Sequence, residues 1–428
     1  MLKRKAIDDL IKWKEENTHK PLLMIGAKGV GKTYLAYDFG KTFFKQIRYY
    51  NFEHDLSEFE NRPINQGFCL KEYLLHLQLE IVQCTSESLY ILDEIPLSEE
   101  LMMFLEDVLS SGASPSIILI TSYTNRFEIR EQVQVLPIYP LEFDEFLRAT
   151  NNEWYIELIM YHFESNRKIP EIVHSELLEL HNMYLKIGGM PAAVNEYLNL
   201  SAMINIAELH KLQMGAYQAY LWRCFTESEA LRMNQVYQSL SMQLKKENKK
   251  FQYRLIRKGT TQSMYKDAIN TLMNLNYIIR CNRIETNHFD FSIDFKNGTW
   301  LADDATNYKL YYQDVGLLYM KLLPLNDPKE DKAVQKALLE NYVAQSLIAK
   351  NIPFGFWESD SMAKIDFIIS KENKLIPIEL FTTDQTRSKS VSILKQHVSF
   401  EYVIKISSKN FEYTNGIKYV PPYSVFCI

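Results

Sequence analysis

Gly26-Ala27-Lys28-Gly29-Val30-Gly31-Lys32-Thr33 decides the fold of the first third of this 428-residue chain. The apolar run Pro21-Leu22-Leu23-Met24-Ile25 enters the stretch as a buried strand, and a helix from Lys32 to about Thr42 leaves it. Glycines allow a tight turn whose backbone N–H groups converge on phosphate oxygens, and the helix N-terminus adds positive potential there. Residues Gly26 to Tyr34 therefore form the expected nucleotide-binding segment. Lys32 is expected on the β- and γ-phosphates, and the Thr33 hydroxyl on Mg²⁺. The alternative reading of the same eight residues is a glycine-rich turn without a ligand.

Downstream, Leu89-Tyr90-Ile91-Leu92-Asp93-Glu94-Ile95 is an apolar strand ending in two acids. By itself such a run is a weak signal; after a full phosphate loop it marks the second half of a nucleotide site. Asp93 is expected to bind Mg²⁺ through water, and Glu94 to orient or deprotonate the attacking water. A helix from Glu99 to about Leu109, a turn near Gly112-Ala113-Ser114-Pro115 and a buried strand over Ser116–Ser122 follow. Thr121 or Ser122, at the end of that strand, stands where a γ-phosphate sensor is placed in additional-strand P-loop ATPases; either is equally a plain strand-end hydroxyl. Buried strands alternating with helices imply a parallel sheet with its ligand at the carboxyl ends.

Composition is that of an ordinary globular protein, with 46% hydrophobic and 24% charged residues, and the length requires two or three domains. No apolar run approaches the roughly 20 residues of a membrane-spanning helix. The amphipathic N-terminus lacks a signal peptide's apolar core. Cys69, Cys84, Cys224, Cys281 and Cys427 are scattered, odd in number and without metal-ligand spacing, which points to a reducing cytoplasm.

Two further segments, Tyr139-Pro140-Leu141-Glu142-Phe143-Asp144-Glu145-Phe146-Leu147 and Tyr184-Leu185-Lys186-Ile187-Gly188-Gly189-Met190-Pro191, carry a family likeness. With Arg4, Trp13, Tyr50-Asn51-Phe52-Glu53, Ile169-Pro170-Glu171-Ile172-Val173, Tyr311-Tyr312-Gln313-Asp314-Val315-Gly316, Glu340-Asn341-Tyr342-Val343 and Tyr419-Val420-Pro421-Pro422-Tyr423, the chain resembles a large family of uncharacterised prokaryotic AAA-type ATPases. Members carry a conserved C-terminal region of unknown function. The resemblance implies Mg²⁺-dependent ATP binding. It does not carry over an arginine finger, because Asn125-Arg126-Phe127-Glu128-Ile129-Arg130 replaces the family's usual Gly-Arg or Gly-Lys turn. Arg126 and Arg130 are the nearest substitutes, and each also reads as a surface charge.

Between Lys245 and Arg283 ten basic residues face only Glu247 and Asp267, so this segment carries +8 inside a chain of −5. Such concentration is a footprint for a polyanion. A helix over Glu229–Leu244, a second over Thr261–Asn276 with Met264, Ala268, Leu272 and Leu275 on one face, and a hairpin of 277–284 with 288–293 suggest a winged helix. Its second helix would enter a DNA groove, with Lys249, Lys250, Arg254, Arg257, Lys258 and Lys266 on phosphates. Protein docking, or a merely solvated face, is the competing reading.

The C-terminal region places Glu340 on a helix (Ala333 to about Ala349), Asp366 on a strand and Glu379 on the next. This looks like a restriction-endonuclease core, in which such acids bind Mg²⁺. Relatives with this tail commonly read Glu-x-Lys, whereas this chain reads Glu379-Leu380-Phe381. Lys364, two residues before Asp366 and on the same sheet face, could replace the missing lysine or be a solvated charge.

The sequence thus predicts an α/β protein: a P-loop AAA-type ATPase core with a parallel sheet (1–150), a helical lid (151–205), a winged-helix domain (206–305) and an α/β restriction-endonuclease-like domain (306–428). The expected function is a cytoplasmic, Mg²⁺-dependent ATPase whose nucleotide state controls a DNA-binding winged helix and a degenerate nuclease-fold tail, compatible with a homo-oligomer and with no membrane partner. The alternatives are an ATP-gated nuclease using Glu340, Asp366 and Glu379, and a signalling switch that binds proteins without nucleic acid.

Overall fold

Five short parallel strands around the phosphate loop organise the N-terminal part of the computed structural model. The structure describes residues 2–16, 20–52, 70–82, 88–111, 115–123, 132–200, 205–284, 307–323, 332–359, 363–372, 374–384 and 386–428. Arg126 and Arg130, and the 288–293 half of the expected hairpin, lie outside them. Among the described residues no helix is long and apolar enough to cross a membrane. The chain forms two units: residues 3–139 with 274–276, and residues 1–2, 140–273 and 277–428.

In the first unit β1 (Leu22–Ile25), β2 (Gln46–Asn51), β3 (Ser88–Asp93), β4 (Ser116–Thr121) and β5 (Gln134–Pro137) run in the order β2-β3-β4-β1-β5. All neighbours are parallel. Every residue of β3 is buried, as is nearly all of β4, which is why both read as unbroken apolar runs. Strand β4 sits between the loop-bearing β1 and the acid-bearing β3, so its own end opens between them. Helices α1 (Ala6–Glu15), α2 (Lys32–Phe43), α3 (Leu70–Val82) and α4 (Glu99–Ser110) connect or flank the strands. Two residues named for their family likeness have structural roles. Arg4 donates to Val30 O (2.9 Å) and Tyr139 O (2.6 Å), and the Trp13 indole donates to Lys20 O (2.9 Å).

The second unit begins with α5 (Phe143–Ala149), α6 (Trp154–Ser165), α7 (Glu171–Ile187), α8 (Pro191–Leu200), α9 (Ile206–Cys224), α10 (Glu227–Leu244) and α11 (Gln262–Asn274). On α11 the expected Ala268 and Leu272 are buried, as is Leu275 just beyond the helix; Tyr265 and Ile269 join that face, and Met264 is exposed. Strand β6 (Ile278–Asn282) pairs antiparallel with β7 (Tyr308–Tyr312). Helices α12 (Val315–Leu322) and α13 (Lys332–Ala349) lead to a six-stranded mixed sheet. It comprises β8 (Phe354–Glu358), β9 (Lys364–Lys371), β10 (Lys374–Leu380), β11 (Val403–Ile406), β12 (Glu412–Thr414) and β13 (Ile417–Val420), in the order β12-β13-β11-β10-β9-β8. A short helix, α14 (Ser390–Leu394), precedes β11.

The family-like segments of this unit converge on one buried polar knot. Leu141 N donates to Gly189 O (2.7 Å), and Tyr184 Oη to Leu141 O (2.6 Å). Asp314 caps α12 and also accepts from Gly189 N (2.6 Å). A Cβ on Gly189 would stand 2.1 Å from Leu141 O, so only glycine admits that approach. From α13, Asn341 pairs both ways with the Tyr312 backbone, Gln345 accepts from Val315 N, and Ser346 donates to Glu142 (2.9 Å). Further out, His174 meets Tyr423 Oη (2.8 Å), and Asn410 pairs with the Ile169 backbone. Because these groups are buried, leaving any of them unpaired would carry the desolvation cost of a lost partner.

Candidate functional site

The phosphate loop closes over the end of β1. A Cβ on Gly26 would lie 2.2 Å from Ile138 O, and Gly29 and Gly31 take φ of 89° and 92°, where side chains are strained. Gly31 is the N-cap of α2, so the helix starts on the residue that turns the loop. Ala27, Val30 and Lys32 are buried, Lys28 is half-buried and Tyr34 is 61% exposed. Lys32 Nζ donates to Gly26 O (2.8 Å), Ala27 O (3.2 Å) and Ser122 Oγ (2.9 Å).

The two acids separate into two arms. Asp93 Oδ2 accepts from Thr33 Oγ1 (2.7 Å) and Tyr49 Oη (2.8 Å), whereas Asp93 Oδ1 is buried without a hydrogen-bond partner among the described residues. An orphaned carboxylate oxygen beside a threonine hydroxyl fits a hard divalent cation, which prefers oxygen ligands, keeps several waters and leans on one or two carboxylates plus phosphates. Among the described residues no three His, Cys, Asp or Glu side chains cluster as a metal cage. Mg²⁺ would thus be held by Thr33, Asp93 and the nucleotide. Glu94 takes a left-handed φ of 52°, uncommon for a non-glycine residue and frequent at functional sites. That twist points its carboxylate at β4: Ser122 Oγ donates to Glu94 Oε1 (2.6 Å), Ser122 N to Oε2 (3.2 Å), and Lys32 Nζ lies 4.0 Å away.

Of the two strand-end hydroxyls only Ser122 joins this cluster. Thr121 instead bonds the Tyr123 backbone in both directions at the strand end. Sequence reasoning passed over Tyr49. Burial first, then the hydrogen bond to Asp93, pushes its hydroxyl well above the ordinary tyrosine value, so it remains a donor. Its signal was available: β2 runs parallel beside β3, with Asn51 opposite Asp93.

The C-terminal acids are arranged differently from a metal site. Glu340 accepts from Lys249 Nζ (2.5 Å), Lys309 Nζ (2.7 Å) and Tyr311 Oη (2.7 Å). Burial alone would raise its carboxyl, but the two ammonium groups outweigh that and hold it well below the usual carboxylate range. Asp366 accepts from Lys336 Nζ (2.9 Å) and Leu380 N (2.7 Å), and Lys336 also donates to Leu380 O. Glu379 is paired with Lys405 (3.2 Å). Each acid is thus matched by a lysine of this chain. Lys364 is exposed, and the ion pairs of these acids are made with other lysines. Its place near Asp366 is taken by Lys336, which a four-residue spacing from Glu340 puts on the same face of α13.

The basic segment is also corrected in part. Lys249 is buried on Glu340, and Lys250 is held by Glu358 (2.6 Å), so neither presents a free ammonium to DNA. Arg254, Arg257 and Lys258 are exposed, and Lys266 is half-buried.

A phosphate loop, an acid-ended strand and a strand between them define a P-loop nucleotide-binding domain of the AAA type. Comparison with family models agrees: residues 18–147 match an AAA domain, and residues 178–329 and 335–425 match two domains of unknown function. The chain thus carries an AAA-type P-loop domain followed by two conserved domains of unknown function. Similar solved structures include a Walker-type ATPase of Pyrococcus abyssi (15% identity, covering 75% of this chain and 96% of that one, TM-score 0.42). Another is a signal transduction ATPase with numerous domains and a tetratricopeptide repeat sensor, from Pyrococcus horikoshii (14% identity, 82% and 48% coverage, TM-score 0.29). No curated protein matches the sequence.

Proposed function

We propose that this protein hydrolyses ATP with Mg²⁺ and uses its nucleotide state to control a nucleic-acid-facing C-terminal region. The observation that carries the reading is the cluster in which Ser122 bonds both Lys32 and Glu94 while Thr33 bonds Asp93. In this reading the loop N–H groups from Gly26 to Thr33 hold the phosphates, and Lys32 moves from its carbonyl and Ser122 partners onto the β- and γ-oxygens. Glu94 accepts the proton of the attacking water, with Ser122 fixing its carboxylate. Bound Mg²⁺ would supply positive charge to the phosphate oxygens.

The division into a core (1–150), lid (151–205), winged helix (206–305) and nuclease-like domain (306–428) belongs to the same proposal. Exposed Arg254, Arg257 and Lys258, with Lys266, provide the DNA-facing charge. The lysine partners of Glu340, Asp366 and Glu379 support a scaffold role for the tail rather than cleavage. The test is ATP turnover measured with and without DNA, together with DNA binding as a function of salt. Salt-dependent binding and DNA-responsive turnover are expected. Turnover indifferent to DNA, with no binding at low salt, would leave a protein-binding switch as the better account.

A further inference from the structure

In the second unit a cavity of about 540 Å³ opens where the basic turn Lys245–Lys250 faces α13 and the β8-β9-β10 sheet. That volume lies in the range of sites that enclose a nucleotide-sized ligand. Its described lining carries nine cationic side chains against five carboxylates. The paired groups account for much of this charge: Lys249 and Lys309 sit on Glu340, Lys250 on Glu358, and Lys336 on Asp366. Of the two remaining lining acids, Glu379 is matched by Lys405, and Glu247 is exposed in the basic turn beside Lys246. What is left is a positive excess. Among the described residues Lys246, Lys332, Lys364 and Arg387 form no ion pair, and all four are exposed at the cavity.

Between those cations stands an aromatic face. Phe381 lines the cavity half-exposed, with Lys405 Nζ 5.4 Å from its ring centroid. Phe356 and Trp357, both 2% exposed, lie deeper in the lining. A single half-exposed ring amid unpaired cations is the combination that binds single-stranded nucleic acid: ammonium and guanidinium groups take the backbone while a base stacks on the ring.

A divalent ion has no open place here. To reach Glu340 it would displace two ammonium groups and a tyrosine hydroxyl. At Asp366 it would displace Lys336, itself anchored on Leu380 O. The internal lysines supply the positive charge that a metal would otherwise bring, and they cannot activate a water as a metal does.

We propose that this cleft seats a strand of nucleic acid without a metal ion, with Lys246, Lys332, Lys364 and Arg387 on its phosphates and Phe381 stacked on a base. The inference rests on the nucleic-acid half of the proposed function and gives it a place. A free nucleotide shares the phosphate and base chemistry. The strand is favoured because the cavity rim is continuous with the basic stretch that begins at Lys245.

The test uses the full-length chain carrying Lys32→Ala, which silences the phosphate loop as a competing site. Fluorescence anisotropy follows a labelled single-stranded oligonucleotide over a salt series, with chelator present. Binding is expected to be unchanged by chelator. Lys332→Glu with Lys364→Glu should weaken it at least thirtyfold and reduce the magnitude of the log–log salt slope by about 1.4, at roughly 0.7 per phosphate contact. Phe381→Ala should weaken it about tenfold with the slope retained, since stacking is not a charge contact. Parental affinity in a folded Lys332→Glu/Lys364→Glu variant, or loss of binding on chelation, overturns the proposal. If Arg254→Glu with Lys258→Glu abolishes binding while the cleft variants do not, the cleft is wrong and the DNA-facing reading stands. No binding by the parent removes both. Competition by adenosine monophosphate at the oligonucleotide's own concentration would make the ligand a free nucleotide and overturn the strand.

Discussion

Replacing Glu340 by glutamine tests whether the C-terminal acids serve as internal charge partners. The side chain is 1% exposed and faces Lys249 (7% exposed) and Lys309 (9% exposed). Glutamine keeps the shape and one acceptor oxygen but removes the charge, leaving two buried ammonium groups facing each other without a counter-ion. Breaking a buried pair from one side costs about 3–5 kcal/mol, and here two cations lose the same partner, so about 4 kcal/mol is a conservative expectation. The assay is urea unfolding of the full chain followed by tryptophan fluorescence, for which Trp357 in the tail is a buried reporter. With a slope of about 3 kcal/mol/M, the tail's midpoint should fall by more than about 1 M. The exposed pair Lys374–Glu401, with side chains 56% and 68% exposed, is the internal control. Glu401→Gln should change stability by less than about 1 kcal/mol. Replacing all three members of the buried cluster (Glu340→Leu, Lys249→Met, Lys309→Met) should recover most of the loss, because the charges then vanish together. A Glu340→Gln effect no larger than that of Glu401→Gln would refute the reasoning.

Three other outcomes follow from the same geometry. Ser122→Ala should leave ATP affinity nearly intact and lower kcat about tenfold or more, since it releases the Glu94 carboxylate; Thr121→Val should do neither, as steady-state kinetics would show. Burial lowers His181 to about 3, so the folded state keeps it neutral while the unfolded chain takes up a proton below pH 6.5; stability is lost as pH falls, by about 1.4 kcal/mol per unit. His181→Phe should therefore remove about 2 kcal/mol of the stability difference between pH 6.5 and 5.0, measured by urea midpoints. No cleavage of single- or double-stranded DNA with Mg²⁺ or Mn²⁺ is expected in a gel assay; cleavage abolished by Asp366→Ala would show that Lys336 yields its place to a metal.

The parallel sheet was legible because β1, β3 and β4 are buried on both faces and are written as unbroken apolar runs, with glycine where the loop bends. The β9–β10 pair was legible for the same reason, its strands flanking a short polar turn. Pairing across a long separation was not. The partner of β6 is β7 at 308–312, and nothing in the periodicity near 280 points there. Side-chain direction was the second limit. Thr121 and Ser122 are equivalent on paper, and only the twist at the end of β4 assigns Ser122 to Glu94. The lysines on the C-terminal acids were partly readable. Lys336 shares a helix face with Glu340, and Lys309 and Tyr311 alternate onto one face of β7. Lys249 was read as a surface charge because its partner lies 91 residues further on.

The most direct measurement of the central claim compares Glu94→Gln with the parent for both ATP binding and phosphate release. Glutamine preserves the contacts to Ser122 in shape but is a far weaker proton acceptor. The account predicts binding within a few-fold of the parent and phosphate release slower by about 10²–10⁴-fold, whereas Lys32→Ala should lose tight binding itself. A Glu94→Gln protein that releases phosphate at the parental rate would contradict it.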